Sequence, residues 1–176
     1  SAKPLLLVIN LEERDVASVG ASVEKAAAHT GLTPFLERAE TRAVALCTTI
    51  ELDIAQLEAA EATAFLADLG LADSGLDRVI RATYDLLGYL SFFTVGEDEC
   101  KAWTIRTGTP AVEAAGKIHS DIARGFIRAE VVAYNDLHTL GSMKEVKAKG
   151  LQRLEGKEYL VADGDTPAPG KPLGER

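Results

Sequence analysis

The chain has 176 residues, with 27 acidic against 19 basic side chains and a net charge of −8. At 47% apolar content it carries enough material for a real core, in one domain or two small ones. The acidic balance argues against a generally basic nucleic-acid coat. No apolar run approaches the roughly 20 residues of a membrane span, and no signal-peptide pattern opens the chain. Cys47 and Cys100, with His29, His119 and His138, give neither a disulfide scaffold nor metal-ligand spacing, so no metal is expected. What is left is a cytoplasmic globular protein.

The chain opens Ser1-Ala2-Lys3 and its one methionine is Met143, so the start reads as a cloning leader or as a chain cut from something larger. Residues 5–9 form a continuous apolar run ending at polar Asn10, the pattern of a strand buried on both faces of a parallel sheet. Residues 16–30 are Ala-rich and stop at Gly31, which predicts one helix. RAVALCTTI, residues 42–50, reads as a second buried strand. Strand, helix, strand predicts a parallel crossover with function at the carboxyl ends, where Asn10 and the Cys47-Thr48-Thr49 stretch fall. Helices follow at 57–69 and 76–90. In the second, Val79, Ile80, Thr83, Tyr84 and Leu87 recur at helical spacing as a core-packing stripe.

Near Ser91 the character changes. Residues 92–95 and 102–106 are short β-rich runs around Gly96-Glu97-Asp98-Glu99, a hairpin signal. A helix over 111–122 is introduced by Thr109-Pro110. FIRAEVVAY, residues 126–134, alternates as a strand, a polar Lys-rich irregular crossover spans 135–150, and 158–161 reads as a last short strand. That order is the outline of a β-grasp. Residues 166–176, with three prolines, are expected to be disordered. Charge divides along the same line, with net −7 on residues 1–90 and −1 on 91–176.

Asn10-Leu11-Glu12-Glu13 stands just past the first strand, where Asn is usually a turn residue but where an Asn-x-x-acid element can also read a purine. The longer runs KPLLLVINLEERD, ALCTTIELDIAQL, AWTIR, AAGKIHSD, GFIRAEVV and GLQRLEGKEYLVADGD closely resemble the C-terminal half of the Obg-like ATPases of the YchF type, over residues 3–165. The resemblance implies an α/β partial P-loop lobe at 1–90, closing a nucleotide-binding domain. It implies an α+β, TGS-like β-grasp domain at 91–165, a module associated with RNA and the ribosome, before the tail at 166–176. Carried over, Asn10 contacts the adenine edge, Leu11 packs on the ring and offers main chain, and Glu13 stands at the specificity position, with Glu in place of the usual Asp going with tolerance of ATP. Cys47, Thr48 and Thr49 form the second base-side loop.

Two departures qualify the carry-over. No Gly-x-x-x-x-Gly-Lys-Ser/Thr occurs, since Gly116-Lys117 is followed by Ile118 and lacks the upstream glycine. Phosphoryl transfer depends on that cradle and on a Mg²⁺ ligand, so the chain alone is expected to be no enzyme and to need neither ATP nor GTP with Mg²⁺. Any purine nucleotide would be held weakly. The family also continues Asp-Gly-Asp into an apolar strand, whereas here Asp163-Gly164-Asp165 runs into Thr166-Pro167-Ala168-Pro169. Lys117, His119, Arg124 and Arg128 lie in a locally basic stretch as the candidate contacts to RNA or the ribosome. A solvated face paired to Glu113 and Asp121 is the bland alternative. His119 reads as a capped structural histidine and Trp103 as core. The competing reading is a stand-alone β-grasp interaction module without nucleotide binding.

Overall fold

The computed structural model describes residues 3–96 and 99–167, which fall into two units, Ser1–Leu87 and Gly88–Arg176. In the first, β1 (Leu5–Asn10) and β2 (Thr41–Leu46) pair in parallel, from Leu5 opposite Thr41 to Asn10 opposite Leu46. Between them run α1 (Glu13–Val19), α2 (Val23–Thr30) and α3 (Thr33–Leu36). The single helix expected over 16–30 is therefore two. The chain breaks at Gly20, and Ser22 restarts it by accepting the Lys25 N–H at 3.3 Å. The expected stop holds: Gly31 takes a left-handed φ of 72°, where its N–H reaches back to α2.

The second strand ends at Leu46 rather than Ile50, because Thr48–Ile54 is helix α4. Thr-Thr-Ile favours a strand by propensity, but capping wins. Asn10 Oδ1 accepts the Thr48 N–H at 3.0 Å, and Glu51 N–H closes on the Cys47 carbonyl. Helices α5 (Ala59–Asp68) and α6 (Gly75–Leu87) follow. The Glu51 carboxylate accepts both leading amides of α6, Gly75 at 2.7 Å and Leu76 at 3.2 Å, and Arg78 Nη2 donates to the Ala45 carbonyl at 2.9 Å.

Ile9, Leu11, Val16, Val19, Ala26, Ala27, Ala45, Cys47 and Ile50 form the core of this unit. Two expectations of burial fail. Leu5 and Val8 of β1 are exposed, because a two-stranded sheet covers only part of an apolar strand. Ile80 and Leu87 of the α6 stripe are also exposed, and Val79, Thr83 and Tyr84 are only half-buried.

In the second unit, β3 (Tyr89–Val95) and β4 (Cys100–Arg106) form an antiparallel hairpin; residues 97–98 of the expected Gly96–Glu99 turn lie outside the described residues. The helix expected to reach residue 90 stops at Leu87, and Tyr89 and Leu90 already belong to β3. The helix expected over 111–122 divides into α7 (Ala111–Ile118) and α8 (Ser120–Arg124). Strand β5 (Arg128–Ala133) lies between β6 (Arg153–Gly156) and β7 (Asp165–Pro167), antiparallel to both.

Four sequence readings are corrected here. Tyr134 does not end a strand but opens α9 (Tyr134–Leu140). The supposed irregular crossover continues as α10 (Met143–Ala148), capped by Ser142 on the Glu145 N–H and anchored by fully buried Val146. Residues 158–161 make no strand among the described residues, only an isolated bridge from Leu160 to Pro110, while β6 lies earlier. Disorder from residue 166 is also corrected, since Thr166 is fully buried and paired with Val132. Residues 168–176 lie outside the described residues.

The turn into β7 is tightly built. Gly164 at φ 79° sends its N–H to the Ser91 carbonyl, and Asp163 Oδ1 accepts the Ser91 N–H. Asp165 is buried and accepts from Arg153 Nη2, the Tyr159 hydroxyl and the Ala162 N–H, at 2.8, 2.8 and 2.9 Å. A cavity of about 800 Å³ lies in this unit, lined by Phe92, Ala114, Ile118, Phe126, Val131 and Val161 among others.

Candidate functional site

The carboxyl ends of β1 and β2 hold the first group of candidates. Parallel pairing in register puts Asn10 opposite Leu46, and the Leu11 N–H donates to the Leu46 carbonyl at 2.8 Å, locking the exits of both strands together. Asn10 is exposed and spends its oxygen on the Thr48 N–H. Its amide nitrogen has no partner among the described residues and is free to donate to a ring-nitrogen acceptor. Glu13 is exposed at the first position of α1 and unpaired among the described residues, whereas its neighbour Glu12 is taken by Arg14 at 2.8 Å. Thr48 and Thr49 are exposed on the first turn of α4.

Leu11 and Cys47 are different. Both are buried in the core of the unit, so neither side chain covers a surface-bound ring. The residues present thus fit a purine edge through one amide donor, one carboxylate and helix-turn hydroxyls. They offer no stacking side chain and nothing positioned for phosphates.

The second group lies along α7, α8 and β5. Lys117 is exposed near the end of α7, and Arg128 is exposed at the start of β5 and lines the cavity rim. Arg124 is held by Asp121 at 2.9 Å in an exposed i,i+3 pair. His119 caps α8, its Nδ1 accepting the Asp121 N–H at 3.2 Å, so its structural role is explicit. Two of the four, Lys117 and Arg128, keep a cation without an ion partner among the described residues.

Side chains that the sequence reading passed over do much of the local building. Glu51 caps α6 from 24 residues away, and Asp165 closes the turn into β7. Neither lies in a local pattern; only the shared Asp-Gly-Asp of the resemblance drew attention to Asp165. Trp103 packs beside the Leu90, Phe92, Ile105 and Ala114 cluster, donates from Nε1 to Thr94 Oγ1, and has the Lys101 ammonium 4.3 Å from its ring centroid.

In class, then, this is a mixed α/β chain of small sheets, with an exposed Asn at the end of a parallel strand pair. Residues 89–167 match the family described as YchF-GTPase C, protein of unknown function (DUF933). Over 94% of its length the chain is 46% identical to a ribosome-binding ATPase YchF of Bacillus subtilis and 41% identical to one of Mycoplasma genitalium, covering 44% of each. A solved YchF GTPase of Schizosaccharomyces pombe matches 94% of the chain at a TM-score of 0.73 and 29% identity, with 43% of that protein covered. The chain belongs with the YchF proteins and corresponds to their C-terminal part, spanning less than half the length of these relatives.

Proposed function

We propose that the chain works as the base-recognising and ribosome-associating part of a YchF-type nucleotide-binding ATPase or GTPase. On this reading residues 1–90 are the closing part of a P-loop lobe, and residues 91–165 are a TGS-like β-grasp that meets RNA or the ribosome in the cytoplasm. The observation that carries it is identity above 40% over nearly the whole chain to proteins named ribosome-binding ATPases. Asn10 Nδ2 donates to the purine, Glu13 sets the preference for the base, and Thr48 and Thr49 border it. Leu11 contributes main chain only. A nucleotide with Mg²⁺ brings the phosphoryl group to be transferred, while the groups that cradle its phosphates are not among these residues. The chain alone therefore binds a nucleotide weakly and does not turn it over.

Sedimentation of the chain with ribosomes and calorimetry with ATP test the two halves separately. Ribosome association together with a weak ATP signal that Asn10→Ala abolishes supports the reading. A chain that stays in the supernatant at low salt refutes the ribosome part. Phosphate release that survives purification and disappears in Asn10→Ala refutes the expectation of no turnover.

A further inference from the structure

Three rings form a ladder in the second unit. Phe93 and Tyr134 have centroids 5.3 Å apart at 39°, and Tyr134 and His138 are 5.6 Å apart at 29°. Tyr134 and His138 are one helical turn apart on α9 and share a face. Strand alternation sets Phe93 opposite in direction to buried Phe92, so the ladder lies on the side of β3 away from the Phe92 and Ile105 core. It is not a core cluster, since Tyr134 is 45% exposed, His138 is exposed and Phe93 is half-buried. Neither the Tyr134 hydroxyl nor the His138 ring nitrogens have a hydrogen-bond partner among the described residues.

Beyond Gly141 the chain enters α10, which packs against α9 and carries Lys144 and Lys147, with Lys149 just past its end. All three lysines are exposed and in no ion pair among the described residues, unlike Arg124. The acids of this stretch are Asp136 and Glu145, so cations exceed them. We propose that this face is a single-stranded RNA site, with bases stacking on Tyr134 and His138 and phosphates meeting Lys144, Lys147 and Lys149. The proposal rests on the ribosome reading above and deepens it, placing the RNA contact at α9 and α10 rather than at α7 and α8. Exposed π-faces beside unpaired cations are what a single strand offers complements to, in both its bases and its backbone. A protein partner using the rings would also need an acidic patch placed to meet the three lysines, whereas any RNA strand carries phosphates beside its bases.

The test uses the full 176-residue chain and a short fluorescein-labelled single-stranded RNA, read by anisotropy at low and physiological salt. Loss of one stacked base weakens binding by roughly 5- to 150-fold. Tyr134→Ala and His138→Ala should each do so without changing the salt slope, and Tyr134→Phe, which keeps the ring, should bind like the parent. The combined Lys144→Gln, Lys147→Gln, Lys149→Gln variant should flatten the slope by about two units, at roughly 0.7 per contact on a single strand. Exposed His138 serves as the control should Tyr134→Ala unfold. Unchanged affinity in a folded His138→Ala variant overturns the site, as does a loss seen only in Lys117, Arg124 and Arg128 variants. Ribosome sedimentation is run beside it. Ribosome association without binding of the RNA probe overturns this site and leaves the broader reading standing, whereas failure of both overturns both.

Discussion

Asp165→Asn should unfold the second unit at markedly lower denaturant. Asp165 is 4% exposed, and its carboxylate accepts from a guanidinium, a phenol and a backbone amide. Asparagine has the same size but only one acceptor oxygen. Its best orientation keeps that oxygen on Tyr159 and Ala162 and turns the NH₂ group toward Arg153, donor against donor. Breaking a buried pair from one side costs about 3–5 kcal/mol when the orphaned charge stays buried. Here the Arg153 side chain is 46% exposed and rehydrates, so the loss is reduced to about 2–3 kcal/mol.

The sole tryptophan, Trp103, belongs to this unit and packs on its core, so its emission reports this unit's unfolding separately from the first. With a urea slope of about 1–1.5 kcal/mol/M for a unit of this size, the midpoint should fall by about 2 M. Asp165→Ala, which removes both acceptors, should fall further. A midpoint for Asp165→Asn within about 0.3 M of the parent, at unchanged slope, would refute the claim that this carboxylate holds the turn into β7.

Other substitutions read other parts of the structure. Gly75→Ala should destabilise the first unit by about 1–3 kcal/mol in a circular-dichroism urea titration. Its new Cβ would come within 2.7 Å of both Glu51 Oε1 and Leu46 Cβ, and the latter cannot swing away. Asn10→Ala should cost about 1 kcal/mol in the same titration, by uncapping the Thr48 amide. An unchanged midpoint would leave Asn10 with no structural duty. Burial first, and the hydrogen bond to Asp165 second, hold the Tyr159 phenol above its ordinary value. That stability is whole below about pH 10 and is lost as pH rises toward the higher folded value, because the unfolded chain ionises first. Tyr159→Phe should therefore be weaker at neutral pH, yet show a flatter midpoint above about pH 10 than the parent.

How much of this was legible in the sequence depends on the range of the interactions concerned. The apolar run at residues 5–9, the stop at Gly31 and the hairpin around Gly96 are local patterns, and the structure has them where the pattern put them. The family was legible too, because long runs such as AWTIR and GFIRAEVV are specific by themselves. What propensity misplaced were boundaries decided from far away. Thr48 and Thr49 turn helical because Asn10, 38 residues earlier in the fold's numbering for Thr48, supplies the cap. Residues 135–150 look irregular by composition, yet burying Val146 and capping at Ser142 make them helical. Thr166 and Pro167 read as the start of a loose tail, yet their pairing with Val132 and Val131 and the neighbouring Asp165 contacts draw them into β7.

For the candidate site, sequence position alone put Asn10 and Thr48 at the carboxyl ends of neighbouring strands; parallel pairing brings those ends together, with Thr48 just past its strand as the first residue of α4. Only the tertiary structure decided that Leu11 and Cys47 are core, since burial is a property of what packs around a residue. The ring ladder has the same origin: Phe93 and Tyr134 are far apart in the chain, and it is the packing of α9 beside β3 that stacks them.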